Sequence, residues 1–157
     1  MRGALGIGAA AGVAAVCLAC LAPARSVRTE GPEEMGLARY RVFGFAPELS
    51  AGGDPAFDPD ARQRAERALM DELLSRGFSF ADRRSADLLF AIGVSAPEVP
   101  GPDAVPECRL VVDANDARTR ERLWRGSSAC RRRPPHRLDV ADLQEGVRAI
   151  ARELPGA

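Results

Sequence analysis

Two stretches of the chain carry apolar residues at helical spacing. Ala61, Ala65, Leu69 and Leu73 recur every fourth residue, with Ala68, Met70 and Leu74 widening the stripe and Arg62, Arg64, Glu66, Arg67, Asp71 and Glu72 opposite. Asp58 stands where a cap belongs, Pro59 suits the first helical position, and Gly77 supplies a left-handed end. The second stretch comprises Val140, Leu143, Val147, Ile150 and Leu154. It follows a capping Asp139, has Asp142 three residues on in a capping-box place, and stops at Pro155 and Gly156.

Four further stretches read as strands. Residues 39–45 space aromatic side chains two apart, and 87–95 is continuously apolar, as a central strand covered on both faces would be. Residues 108–116 alternate, and 121–130 hold Leu123 and Trp124. The order β-α-β-β-β-α predicts an α+β two-layer sandwich, with a four-stranded mixed sheet and two helices packed on one face. The first two strands should pair in parallel across a right-handed helical crossover, with the others extending an antiparallel meander.

The link 117–121 is short and polar, which makes the last two strands a hairpin. Pivoted on Thr119, it opposes Asp116 with Arg122, Ala114 with Trp124 and Cys108 with Cys130. Opposed residues have Cα atoms about 4.5–5.5 Å apart, inside the range a disulfide needs. A slip of one residue would put the two sulfurs on opposite faces. The spacing therefore predicts a Cys108–Cys130 disulfide, closing a loop of about 20 residues and contributing roughly 3 kcal/mol.

The N-terminus has a different pattern. Arg2 is followed by a weakly apolar Gly/Ala/Val/Leu run to Leu21, the layout of a secretory signal peptide rather than of a permanent membrane span. Leu18, Ala19 and Cys20 match the end of a lipobox, with Cys17 where Leu is usual, and assign residues 1–19 to a lipoprotein signal with lipidation of Cys20. Ala22-Pro23-Ala24 offers ordinary cleavage after residue 24 as the alternative. The polar stretch 20–38 reads as anchor and flexible tether, and 39–155 as the domain. The Cys17–Cys20 CxxC lies inside the apolar signal, where neither zinc nor redox chemistry has folded surroundings.

Composition excludes more than it suggests. The 157 residues carry 22 basic and 22 acidic side chains, every basic one being Arg, which argues against general nucleic-acid binding. His136 is the only histidine, and it stands in a Pro-Pro-His-Arg loop unsuited to a catalytic base. Asp82, Asp87, Asp113, Asp116 and Glu121 sit near strand ends; hydrolase chemistry would need two of them converging in one cleft. No phosphate loop occurs, and no catalytic residue, metal or cofactor is expected. Charge is nonetheless uneven, since Arg118, Arg120, Arg122, Arg125, Arg131, Arg132, Arg133 and Arg137 face Glu121 alone. Arg118, Arg120, Arg122, Arg131, Arg132 and Arg133 are thus candidate contacts to anionic lipid or to an acidic partner. Charge along a sheet edge also discourages edge-to-edge association.

The segments Tyr40–Ala46, Ala86–Leu89, Asp113–Thr119 and Leu123–Gly126 together resemble a bacterial lipoprotein family, the domain-of-unknown-function family numbered 4136. The resemblance runs from Arg39 to Leu154, and Arg120 stands at a turn position where that family commonly has Gly. It implies a domain lipid-anchored to the envelope, facing the periplasm from the outer membrane, with Trp124 as a core anchor and no known activity. The first functional expectation is a non-enzymatic binding or scaffolding domain, attached to the membrane through Cys20, with an unidentified protein or envelope partner. A soluble periplasmic small-ligand module would instead need a deep apolar pocket between helices and sheet, and a hydrolase would need facing carboxylates.

Overall fold

A computed structural model describes residues 25–31, 37–50, 53–95, 108–133 and 137–155. Residues 1–24, on which the expected signal peptide and Cys20 fall, the proline-rich stretch 96–107 and His136 lie outside the described residues. Among the described residues eight strands and two α-helices follow in order: β1 (Val27–Glu30), β2 (Val42–Phe45), α1 (Pro59–Ser75), β3 (Ser79–Phe80), β4 (Leu88–Ser95), β5 (Cys108–Asp116), β6 (Arg122–Cys130), β7 (Arg132–Arg133), β8 (Arg137–Leu138) and α2 (Val140–Arg152).

The α+β class holds, but the sheet is wider than four strands. Six strands lie in the order β1-β6-β5-β4-β2-β3, with β7 and β8 as a separate two-stranded ribbon. Strands β2 and β4 pair in parallel across the α1 crossover, while β4, β5 and β6 form the expected antiparallel meander. The two extra strands sit at the edges. The two-residue β3 runs parallel to β2, and β1 pairs antiparallel with β6, Val27 opposite Ser128 and Glu30 opposite Arg125. Strand β1 corrects the tether expected over 20–38: its Val-Arg-Thr-Glu sequence is too polar to register as a strand, yet Val27 packs on the core. Edge strands tolerate such outward polarity because only one face and one ladder need partners. The first strand expected at 39–45 likewise shortens to Val42–Phe45, after a 3-10 turn at Leu37–Arg39.

One face of the sheet carries both helices. Leu88, Phe90, Ile92 and Val94 from β4 and Leu110, Val112 and Ala114 from β5 are buried in one cluster with Leu69 and Leu73 of α1 and Leu143, Val147 and Ile150 of α2. Phe43 lies at its centre, edge-on to Phe45, Phe78, Phe80 and Phe90. The opposite face of β4 is covered too, where Leu89 packs with Ala46 and Ala86. This double burial is what the unbroken apolar run of β4 requires.

Local chemistry sets the element ends. Asp58 accepts the Ala61 N–H at 2.8 Å to cap α1, and Gly77 ends it with φ +85°. The Arg76 guanidinium then donates to the carbonyls of Ala151 and Leu154, covering the unsatisfied C-terminal end of α2. Asp139 caps α2 through the N–H groups of Ala141 and Asp142. Asp142 does not complete a capping box; its carboxylate accepts the Arg131 N–H at 2.8 Å and pairs with Arg25 at 2.7 Å.

The hairpin register opposes Cys108 with Cys130 and Ala114 with Trp124, and the cysteines are disulfide-bonded with Cα atoms 5.0 Å apart. Outside the cytoplasm such a bond persists. The expected Asp116–Arg122 pairing is absent, because a bulge after Ala114 sets Asn115 opposite Arg122. Its cause is the turn: Arg120 adopts φ +62°, and Asp116 donates its N–H to the Glu121 carbonyl. A loop that closes through a left-handed residue inserts one extra position into a strand.

Gly126 of β6 lies under α2, and a Cβ there would overlap Ile150 and the Trp124 ring. Gly126→Ala should therefore lower unfolding free energy by about 1–3 kcal/mol through overpacking. Urea unfolding of the two proteins checks this, and unchanged midpoints would contradict the close helix–sheet contact.

Candidate functional site: an arginine-lined cleft

Three chain segments meet at the end of the sheet where β2 and β4 begin. They are the approach to β2, the loop from Ala81 to Asp87, and the β5–β6 turn. Between them lies an open cleft of about 740 Å³ whose lining includes Arg39, Arg83, Arg84, Arg118 and Arg120. Among the described residues two carboxylates, Asp87 and Asp116, also line it.

Both carboxylates are committed to the fold. Asp87 accepts the N–H groups of Arg41 and Val42, at 3.2 and 3.1 Å, and so ties the entry of β4 to that of β2. Asp116 accepts the N–H groups of Arg118 and Thr119, both at 2.8 Å, and shapes the turn. The Tyr40 hydroxyl donates to the other Asp116 oxygen at 2.8 Å and accepts from Arg39 at 2.9 Å. The Arg39 guanidinium also lies 4.9 Å from the Tyr40 ring centre.

These contacts set the protonation states. The Thr119 N–H first, and then the Tyr40 hydroxyl, hold the Asp116 carboxyl down at about 2. Burial, and then donation to Asp116, raises the Tyr40 phenol above its ordinary value. Asp116 is thus ionised and Tyr40 neutral at neutral pH, so Asp116 has no proton to give a leaving group. Convergence of two carboxylates in one cleft, the pattern a hydrolase needs, occurs here with both serving as backbone acceptors.

Among the arginines, Arg83 pairs with Glu48 at 2.6 Å, and Arg120 lies 3.9 Å from the same oxygen. These are exposed pairs, which hold their partners weakly in water. Arg84 and Arg118 are exposed as well. The cleft therefore presents fork-shaped donors suited to carboxylate or phosphate groups.

The six arginines singled out in the sequence do not form one patch. Arg118 and Arg120 line the cleft, and Arg122 is exposed where β6 begins. Arg131 lies beyond the far end of β6 and is exposed, while Arg132 is largely buried against Asp54. Arg133 follows in β7. Between the two ends, Arg125 forms a two-pronged pair with the buried Asp113 at 2.6 and 2.8 Å, which removes that carboxylate from any surface role. Of the other strand-end carboxylates, Asp82 accepts the Arg84 N–H in its own turn, and Glu121 is exposed. Arg39, Arg83 and Arg84 escaped the sequence reading because they lie far from the hairpin in the chain; the Ala86-Asp87 strand entry was the available signal. Among the described residues no cluster of His, Cys, Asp or Glu could hold a metal, and no helix is long and apolar enough to cross a membrane.

No protein-family model matches the chain, and no curated protein matches it. Solved structures do. A DUF4136 family protein from Bacteroides thetaiotaomicron superposes with a TM-score of 0.54 at 10% identity, over 85% of this chain and 99% of that one. The chain shares that fold. The resemblance carried by Tyr40–Ala46 and the Asp113–Thr119 turn therefore holds at the level of architecture. The PelC dodecamer from Paraburkholderia phytofirmans is similar too, with a TM-score of 0.53 at 18% identity over 84% of this chain and 99% of that one. A PDZ domain protein from Parabacteroides distasonis matches at 0.54 and 12% identity, over 79% of this chain but 33% of its own.

The Asp116 pKa makes a direct prediction. A carboxylate depressed from 3.8 to about 2 stabilises the fold fully above the ordinary value and loses that contribution as pH falls through about 2. Removing the phenol hydroxyl with Tyr40→Phe should move the Asp116 midpoint upward. Side-chain carboxyl NMR titration reads both values; an unmoved midpoint would mean that Tyr40 does not donate to Asp116.

Proposed function

We propose that this protein is a non-enzymatic binding domain of the cell envelope, lipid-anchored at Cys20, whose arginine-lined cleft receives an acidic segment of an envelope partner. One observation carries this reading: Arg39, Arg83, Arg84, Arg118 and Arg120 converge on one cleft, while its two carboxylates are spent on backbone N–H groups. Of these cations, Arg84 and Arg118 are exposed. Arg83 and Arg120 share only an exposed ion pair with Glu48, a weak hold in water that leaves their forks able to turn to an incoming carboxylate. The lipobox-like Leu18-Ala19-Cys20 supports the anchor, as does the resemblance to a lipoprotein family. A soluble ligand-binding module is less well supported, because the cleft is open and polar and lies among loops, not between helices and sheet.

The cleft lies at the opposite end of β5 and β6 from the point where the chain arrives from Cys20. That placement favours a partner in the periplasm over the anchoring membrane as occupant.

Titration of the full chain with a deca-glutamate peptide tests the cleft. Binding should weaken steeply with salt, and Arg84→Glu with Arg118→Glu should cost at least roughly tenfold in affinity, in line with losing two charge-assisted contacts. Equal affinity of the double variant, or binding indifferent to salt, would overturn the assignment.

A further inference from the structure

The segment leading from Cys20 is held by the fold much earlier than a flexible tether would be. Arg25 donates to the Asp142 carbonyl and pairs with its carboxylate, both at 2.7 Å, and β1 begins two residues later. Only four residues, Leu21 to Ala24, separate Cys20 from Arg25. Five Cα–Cα steps span at most about 18 Å even when fully extended. An acyl chain on Cys20 therefore confines the Arg25 end of the sheet to the membrane surface.

That end has the charge such a surface selects. Arg28 on β1 and Arg109 on β5 are exposed on the face of the sheet away from the helices, and Arg131 is exposed just past β6. Arg28 and Arg109 flank a groove of about 250 Å³ that also includes Ser26 and Ser127, and among the described residues no carboxylate lines it. Among the described acids nearby, Asp142 is engaged with Arg25 and Arg131 and Asp54 with Arg132, while Glu30, two residues beyond Arg28 on β1, is exposed opposite Arg125. Glu145 on α2 remains exposed.

We infer that the corner formed by β1, β5 and the end of β6 docks on anionic phospholipid headgroups, with Arg28, Arg109 and Arg131 as phosphate contacts. The inference rests on the Cys20 anchor proposed above. An acyl anchor combined with a basic patch gives two membrane signals in place of one. It also fixes which way the domain faces, directing the arginine cleft away from the bilayer.

Hydrogen exchange of the acylated full chain in vesicles tests this. Phosphatidylcholine vesicles are compared with vesicles containing about a third phosphatidylglycerol. Three arginines near an anionic surface favour docking by on the order of 100-fold, so amides of 26–30 and 109–110 should exchange more slowly in the anionic vesicles. The slowing should vanish in 0.5 M salt (roughly a 4 Å Debye length) and in the Arg28→Gln, Arg109→Gln, Arg131→Gln variant. Equal exchange in both vesicles, with acyl mass present on Cys20, overturns the docking surface and leaves the anchor standing. Absence of acyl mass overturns both. Slowing that persists in the triple variant assigns the contact to other residues and also overturns the proposal. Unchanged melting of the triple variant shows that it folds.

Discussion

Register in the β5–β6 hairpin is the constraint on which the rest of this structure depends. Opposing Cys108 with Cys130 and Ala114 with Trp124 sends Leu110, Val112 and Ala114 toward the helices. A slip of one residue would turn those side chains outward and separate the cysteines. The disulfide fixes one end of the hairpin, and the Asp116 turn fixes the other. The central pairing also brings Arg125 to Asp113, so that a buried carboxylate is satisfied within the sheet.

The hairpin also separates two arginine-rich ends. Nine residues of strand span about 25–30 Å, with the cleft at the turn end and Arg131 at the disulfide end. Each end is built by chain segments that sequence order keeps apart. At the cleft, Asp87 ties two parallel strand entries together, while Tyr40 reaches across to Asp116. At the other end, Asp142 gathers Arg25 and Arg131 onto the first turn of α2. Both arrangements use one carboxylate to join segments distant in the chain, a stronger use than an isolated surface pair.

Sequence pattern reached the elements with strong periodicity. Both helices, their Asp caps, the central β4 run and the Cys108–Cys130 pairing were legible because each depends on spacing within one or two neighbouring elements. What stayed hidden depends on tertiary contact. Strand β1 has one core-facing residue, Val27, and exists because β6 offers a free edge. Strand β3 is two residues long and shows no alternation at all. The bulge after Ala114 follows from the conformation of Arg120, a residue with no special claim to a left-handed φ. The cleft was half legible: Arg118 and Arg120 stand out beside the turn, but Arg39, Arg83 and Arg84 join them only once β2 and β4 pair.

The proposed anchor and docking surface together fix an orientation, with one end of the sheet at the membrane and the arginine cleft away from it. Energy transfer from a fluorophore on a non-natural side chain at Thr119, or at Ser26, to acceptor lipids in vesicles carrying the acylated protein measures this directly. The proposed docking predicts that the Thr119 probe lies farther from the bilayer than the Ser26 probe, by up to about 25–30 Å, the length of the hairpin. Equal distances for the two probes, or a Thr119 probe closer to the lipid, would contradict it.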